Sequence, residues 1–381
     1  VTERIPDIVD RLVSREHYVD VRPLAAERFA RGDIGFAADL GTAILSRTDG
    51  SLAPRIHPVT GEALRSTFGE YWTRSLLDFL IDTAPEHLDE FVRLACHPAG
   101  GRYDLAAYAA HLLVLEHRKR PEQLDAVFQT GACDDLCACL VHEFLMQDGD
   151  LDDVPAARQW AGGARGRHHP LGSLPLALTD LERVGNHIPY RHAIESAQRT
   201  RVTGNPLPVL SDTTVDPDLV HRLVRVARSW TAQSNATTDT GRFHSTVPID
   251  PALVPDLLRT LGRACIEEYG TACDPGWTLP ACSLTPEQVW RSLAWSSSRG
   301  GCYGPGEHNA YARLATWETL RALTDSPEDA PVPDVERRVR QCLWFTFDNP
   351  SWFYSAGRDL SVIALTPDRR TLTLFAATDT D

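Results

Sequence analysis

Lysine is almost missing from this chain: Lys119 is the only one, and arginine supplies the rest of the 38 Lys and Arg residues. No arginine-rich patch offsets a formal net charge of −14. Nucleic-acid backbones are held by clustered cations that displace counterions, so this balance argues against a general nucleic-acid binder. Long apolar runs are lacking too. None approaches the roughly 20 residues of a membrane span, and the amino terminus has no basic-then-apolar leader. The nine cysteines are odd in number and lack the regular spacing of a small secreted scaffold, so reduced thiols and a cytoplasmic protein are expected. Paired carboxylates, a nucleophile elbow and a metal signature are also missing, and no cofactor is expected.

What is present is ordinary for a globular protein: 43% apolar and 24% charged residues. At 381 residues the chain is long for one core, and two domains are the default. The arginine bias, with abundant Ala, Asp and Pro, fits a GC-rich bacterial gene, and Val1 fits a literally translated GTG start.

From Gly69 to about Trp160 the chain reads as short amphipathic helices. In "EYWTRSLLDFLIDT", Trp72, Leu76, Leu77, Phe79 and Leu80 recur at helical spacing. "PEHLDEF" at Pro85 returns as "PEQLDAVF" at Pro121, and "DLAAYAAHLL" at Asp104 aligns with "DLCACLVHEF" at Asp135, which sets His111 against His142. Helix pairs at such spacing predict α-hairpin repeats of the HEAT/armadillo kind. Cys133, Cys137, Cys139 and His142 resemble a metal set. Residues two apart on a helix point about 200° from each other, so Cys137 and Cys139 cannot share an ion there. They replace Ala106 and Tyr108 of the first copy, which makes them packing residues and the cluster metal-free.

Residues 161–210, rich in Gly and Pro, are expected to link the helical 1–160 region to an α+β domain at 211–381. His168, His169, His187 and His192 fall in this linker and read as exposed loop polarity. Beyond it, "DPDLVHRL" from Asp216 and "DPALVPDLL" from Asp250 each open with a capping Asp and a first-turn Pro. Thr285 and Gln288 form a capping box. "GRFHSTVPI" and "CIEEYG" are strand-like. "CLWFTFD", "DLSVIALT" and "TLTLFAAT" predict a closing antiparallel meander with helices on one face. The fold class is therefore a helix-rich α+β protein, with N-terminal α-hairpin repeats packed with a C-terminal domain of helices on a small antiparallel sheet.

"SSSRGGCYGPGEHNAYARLATWETL" (Ser296–Leu320) is the most site-like stretch. It follows a helix, not a strand, and lacks a Walker lysine and G-x-G-x-x-G spacing, so the common nucleotide cradles are disfavoured. The glycines read first as a helix–helix turn. If a ligand binds, a small anion on the amides of Gly304–Glu307, helped by Arg299, is the expectation. Cys302 and His308 form a weaker nucleophile–base candidate. The segments "GGCYGPGEHNAYARLATWETLRAL" and "WFTFDNPSWFYSAGRDLSVIALTPDRRTLTLFAATDTD" resemble the carboxyl half of an uncharacterised actinobacterial family. That family has a glycine–tyrosine loop before an "AYGRLAAW"-type helix and an ending close to "ATDTD". Glu307 and His308 stand where it has small residues. The resemblance implies a bacterial cytoplasmic origin and brings no activity with it.

Two functions compete. One is a binding or regulatory protein recognising a protein partner, with no nucleic acid and no membrane; its oligomeric state is open. The alternative is an enzyme or small-molecule binder with a site at Arg299, Gly304, Gly306, His308, Trp352, Arg358 and Asp359.

Overall fold

The computed structural model describes residues 3–14, 20–48, 55–56, 63–64, 67–83, 87–98, 105–116, 121–184, 202, 204–213, 216–266, 278–302, 306–353 and 358–379. They fall into two compact units, Val1–Ser173 and Leu174–Asp381. The protein is helix-rich, with one small antiparallel sheet of six strands.

The first unit holds α1 (Ile5–Ser14), α2 (Arg22–Ala30), α3 (Phe36–Thr48), α4 (Thr67–Thr83), α5 (Leu88–Ala95), α6 (Leu105–Glu116), α7 (Pro121–Val127), α8 (Asp134–Met146), α9 (Pro155–Gly162) and α10 (Ala164–His168). A two-stranded ribbon, β1 (Arg55–Ile56) with β2 (Ala63–Leu64), lies between α3 and α4 in the chain. The apolar stripe read from α4 is the buried one: Trp72, Leu76, Leu77, Phe79 and Leu80 are all core. Gly41 lets α3 approach closely, because a Cβ there would collide with Leu94 of α5. α8 runs beside α6 and is buried all round from Leu136 to Leu145, as the central helix of a bundle must be. Cys137 and Cys139 take part in that packing.

The interval 161–210 contains α10, the Pro170–Ser173 turn and the Glu182–Val184 turn, with Leu171, Leu174 and Leu181 buried. His168 Nδ1 meets the Ala164 carbonyl and His169 Nε2 meets Asp135. His187 and His192 lie outside the described residues.

The second unit holds α11 (Pro217–Leu223), α12 (Arg228–Gln233), α13 (Val254–Leu258), α14 (Pro286–Arg299), α15 (His308–Leu323) and α16 (Val332–Gln341). Its strands are β3 (Leu210–Asp212), β4 (Thr237–Ser245), β5 (Ala281–Leu284), β6 (Leu343–Phe347), β7 (Arg358–Leu365) and β8 (Thr371–Asp379), in the order β3-β4-β8-β7-β6-β5. The last strands form the expected meander, β7 and β8 pairing from Arg358↔Asp379 to Leu365↔Leu372. The caps are local and legible. Asp216 accepts from the Asp218 amide and Asp250 from the Ala252 amide. Both bonds of the Thr285–Gln288 capping box form. The strand expected at "CIEEYG" is corrected where it is described: Cys265 and Ile266 are helical, and residues 267–270 lie outside the described residues.

The expectation of helices on one face of the sheet is corrected. Leu372, Leu374 and Ala376 of β8 pack with Val254, Leu257 and Leu258 of α13, while the alternate Thr373, Phe375 and Ala377 are buried too. α14 lies against β7 and α15 against β8. A sheet covered on both faces carries near-continuous apolar runs in place of alternation, which is what "SVIAL" and "TLTLFAA" are. α15 in turn is buried almost all round, and its Arg313 is fully enclosed. Glu182 meets that charge: its carboxylate accepts from Arg313 at 2.6 and 3.1 Å, from Trp317 Nε1 at 2.8 Å and from the Thr179 amide at 2.6 Å.

Candidate functional site

The glycine loop closes onto the end of α14. Gly300 has φ +69°, the Glu307 amide donates to the Ser297 carbonyl, and a Cβ on Gly306 would collide with the Ser298 carbonyl. The Glu307 carboxylate is drawn to Arg225 at 2.5 Å, and Arg225 also reaches Glu318 at 3.2 Å. The far side of the loop is held by the end of the chain. Asp379, fully buried, accepts from the Cys302 amide at 2.6 Å and from Ser234 Oγ at 2.8 Å, over a Gly301 that leaves it room.

Of the residues expected to form a site, Arg358 sits opposite Asp379 in the β7–β8 ladder with its guanidinium 5.0 Å from the Trp295 ring. Asp359 accepts from Thr378 at 2.7 Å. Arg299 is exposed at the end of α14, and His308 opens α15 at φ +52°. Trp352 is used as core, edge-on to Phe353 at 4.9 Å. Gly304 lies outside the described residues.

A cleft of about 420 Å³ opens elsewhere on the same unit, lined by Thr213, Asp216, Arg222, Arg242, His244 and Arg321 with Asp325, Ser326 and Thr371. Strand alternation builds its floor. Phe243 points into the core, so Arg242 and His244 point to the other face, with Thr371 beside His244 across the ladder. α11 contributes Arg222 and the end of α15 contributes Arg321.

That helix ends in a Schellman turn. The Ser326 amide donates to the Arg321 carbonyl and the Asp325 amide to Ala322, with Asp325 at φ +55° where glycine is usual. Arg242 donates to the Ala322 carbonyl at 2.6 Å and to Asp325 at 2.8 Å, while its Nε is buried without a partner. Burial pulls the Arg242 guanidinium below its ordinary pKa; Asp325 opposes this and Arg222 adds to it. Burial lowers Arg321 likewise. Arg222 also lies 3.5 Å from Glu328 and Arg321 donates to the Ala330 carbonyl, so it is Arg242, with its Nε unpartnered, that offers a carboxylate or phosphate a charge-assisted bond in the cleft. Neither the "GRFHS" strand nor the "LRALTDSPED" helix end signals this cleft alone, because its residues meet only in the fold.

The match to a family model covers residues 19–381, nearly the whole chain. The chain belongs to the family of unknown function DUF6183. No curated protein and no solved structure matches it. In this DUF6183 chain no group of three or more metal-ligating side chains occurs among the described residues. No helix among them is long and apolar enough to cross a membrane.

Proposed function

We propose that this protein is a binding protein whose second unit takes a small anion, or the carboxylate or phosphate end of a larger ligand, in the Arg222–Arg242–Arg321 cleft. The observation that carries the reading is Arg242. It is held below its ordinary pKa by burial, has an Nε without a partner, and lines a cavity of about 420 Å³. Desolvating an arginine is costly, and an incoming anion offsets that cost. His244 adds a donor on the same face, and Thr371, Thr213 and Ser326 add hydroxyls of the kind that orient a ligand.

Calorimetric titration with inorganic phosphate and with citrate tests this. Saturable binding by the intact chain, weakened at least about tenfold in Arg242→Ala, supports the reading, since one lost charged hydrogen bond is worth roughly 1.5–3 kcal/mol. Equal affinities for the two proteins would refute it.

A protein partner remains the second reading, and the first unit favours it. What supports it is that α6 lies beside α8, with His111 Nδ1 3.3 Å from Glu143, a packing compatible with second helices of successive hairpins. The HEAT/armadillo assignment and a cytoplasmic setting belong to this proposal.

A further inference from the structure

Two thiols in the first unit stand apart from the other cysteines. Cys96 caps the end of α5 and Cys133 occupies the N-cap of α8, and 37 positions separate them in the chain. The fold brings their sulfurs to 2.6 Å, and the Cys133 amide lies 3.1 Å from Cys96 Sγ. Both are half-buried, whereas Cys137, Cys139, Cys265 and Cys342 are buried. The geometry points to a redox modification site: Cys96 and Cys133 are a dithiol that a peroxide converts to an intramolecular disulfide.

The surroundings divide the labour. The hydrogen bond with Cys96 lowers the Cys133 thiol, and the Leu136 amide in the first turn of α8 lowers it further. Cys96 is raised by the same contact and by burial, with the Cys133 amide opposing this. Asp134 and Asp135 oppose a thiolate at this helix start, but Arg165 pairs with Asp134 at 2.5 Å and His169 with Asp135 at 2.9 Å. Arg165 also donates to the Ala132 carbonyl at 3.2 Å, which places its charge beside the pair. Cys137, one turn along, is pushed up to about 12 by burial and stays a thiol.

The chemistry balances. The Cys133 thiolate attacks one oxygen of hydrogen peroxide, the O–O bond breaks, and the leaving hydroxide takes a proton to become water. Cys133 is then a sulfenic acid. The Cys96 sulfur attacks the Cys133 sulfur, the S–S bond forms and the S–O bond breaks. The departing hydroxide removes the Cys96 proton as a second water. Two thiols lose two electrons to one peroxide, and a reducing dithiol reverses the change.

The test treats the full chain with equimolar hydrogen peroxide, quenches it by alkylation, and maps peptides by mass spectrometry without reduction. The expected product is a monomeric chain lacking two hydrogens, with Cys96 and Cys133 in one crosslinked peptide pair and both alkylatable again after dithiothreitol. Its melting temperature should rise by several degrees, because the link closes a long loop. In Cys96→Ser the sulfenic acid at Cys133 should persist and react with dimedone, and Cys137→Ser should leave the crosslink unchanged. A crosslink mapping to other cysteines, one joining two chains, or Cys96 and Cys133 staying alkylatable while other thiols oxidise would each overturn the inference.

Discussion

Arg313 and Arg242 carry the same charge within one unit, and their surroundings differ in kind. Arg313 is fully buried, and the Glu182 carboxylate faces it with two bonds while also accepting from Trp317 and Thr179. Arg242 lines an open cleft, shares Asp325 with solvent, and keeps an Nε without a partner. A buried ion pair adds little net stability, because desolvation offsets attraction, yet removing one partner is severe. A half-satisfied arginine at a cavity wall has the opposite profile: the fold tolerates its loss, and a ligand does not. Burial alone therefore does not separate structural from ligand-binding charges; the completeness of the partner set does.

The largest effect expected from breaking this contrast is that of Glu182→Ala. It strands Arg313 and orphans the Trp317 and Thr179 donors, so it should destabilise the second unit by about 3–5 kcal/mol in urea unfolding. A loss under about 1 kcal/mol would mean that water or another group already satisfies Arg313. Arg242→Ala should cost only about 1 kcal/mol, because the pair with half-exposed Asp325 and one helix-end bond are lost while an incompletely satisfied buried guanidinium is removed with them. A loss as large as that of Glu182→Ala would make Arg242 a structural residue. The smallest effect belongs to Asp325→Gly. Removing the carboxylate loses the pair with Arg242, and glycine relieves the left-handed backbone, so stability should change by less than about 0.5 kcal/mol. Phosphate affinity should rise several-fold, because the internal competitor for Arg242 is gone; a fall would show that Asp325 orients the guanidinium for the ligand.

Local signals in the chain translated well into structure. Thr285 and Gln288 cap α14, Asp216 and Asp250 cap their turns, and the α4 stripe is buried, because each depends on neighbours within a turn or two. The closing meander was legible for the same reason, its strands following one another along the chain. What escaped depends on distant contacts. Nothing local in "NAYARLATWETLRAL" marks Arg313 as buried, because its partner lies 131 positions away in an interval that reads as a linker. Arg242 and Asp325, 83 positions apart, meet only because β4 crosses the end of α15. Among the expected site residues, Arg358 and Cys302 do share a neighbour in Asp379, while the aromatic Trp352 is used as core. An aromatic-rich segment has the same composition whether it lines a cleft or fills an interior, so composition alone does not decide between them.

The contrast is tested most directly at the arginine side chains themselves. With the protein labelled at arginine Nε and the signals assigned from Arg242→Lys and Arg313→Lys, inorganic phosphate is titrated while the Nε–H resonances are followed by NMR. The Arg242 signal should shift progressively and saturate as phosphate enters the cleft, and the Arg313 signal, sealed against Glu182, should stay in place. An Arg242 resonance that does not move at saturating phosphate, or an Arg313 resonance that moves with it, would contradict the account.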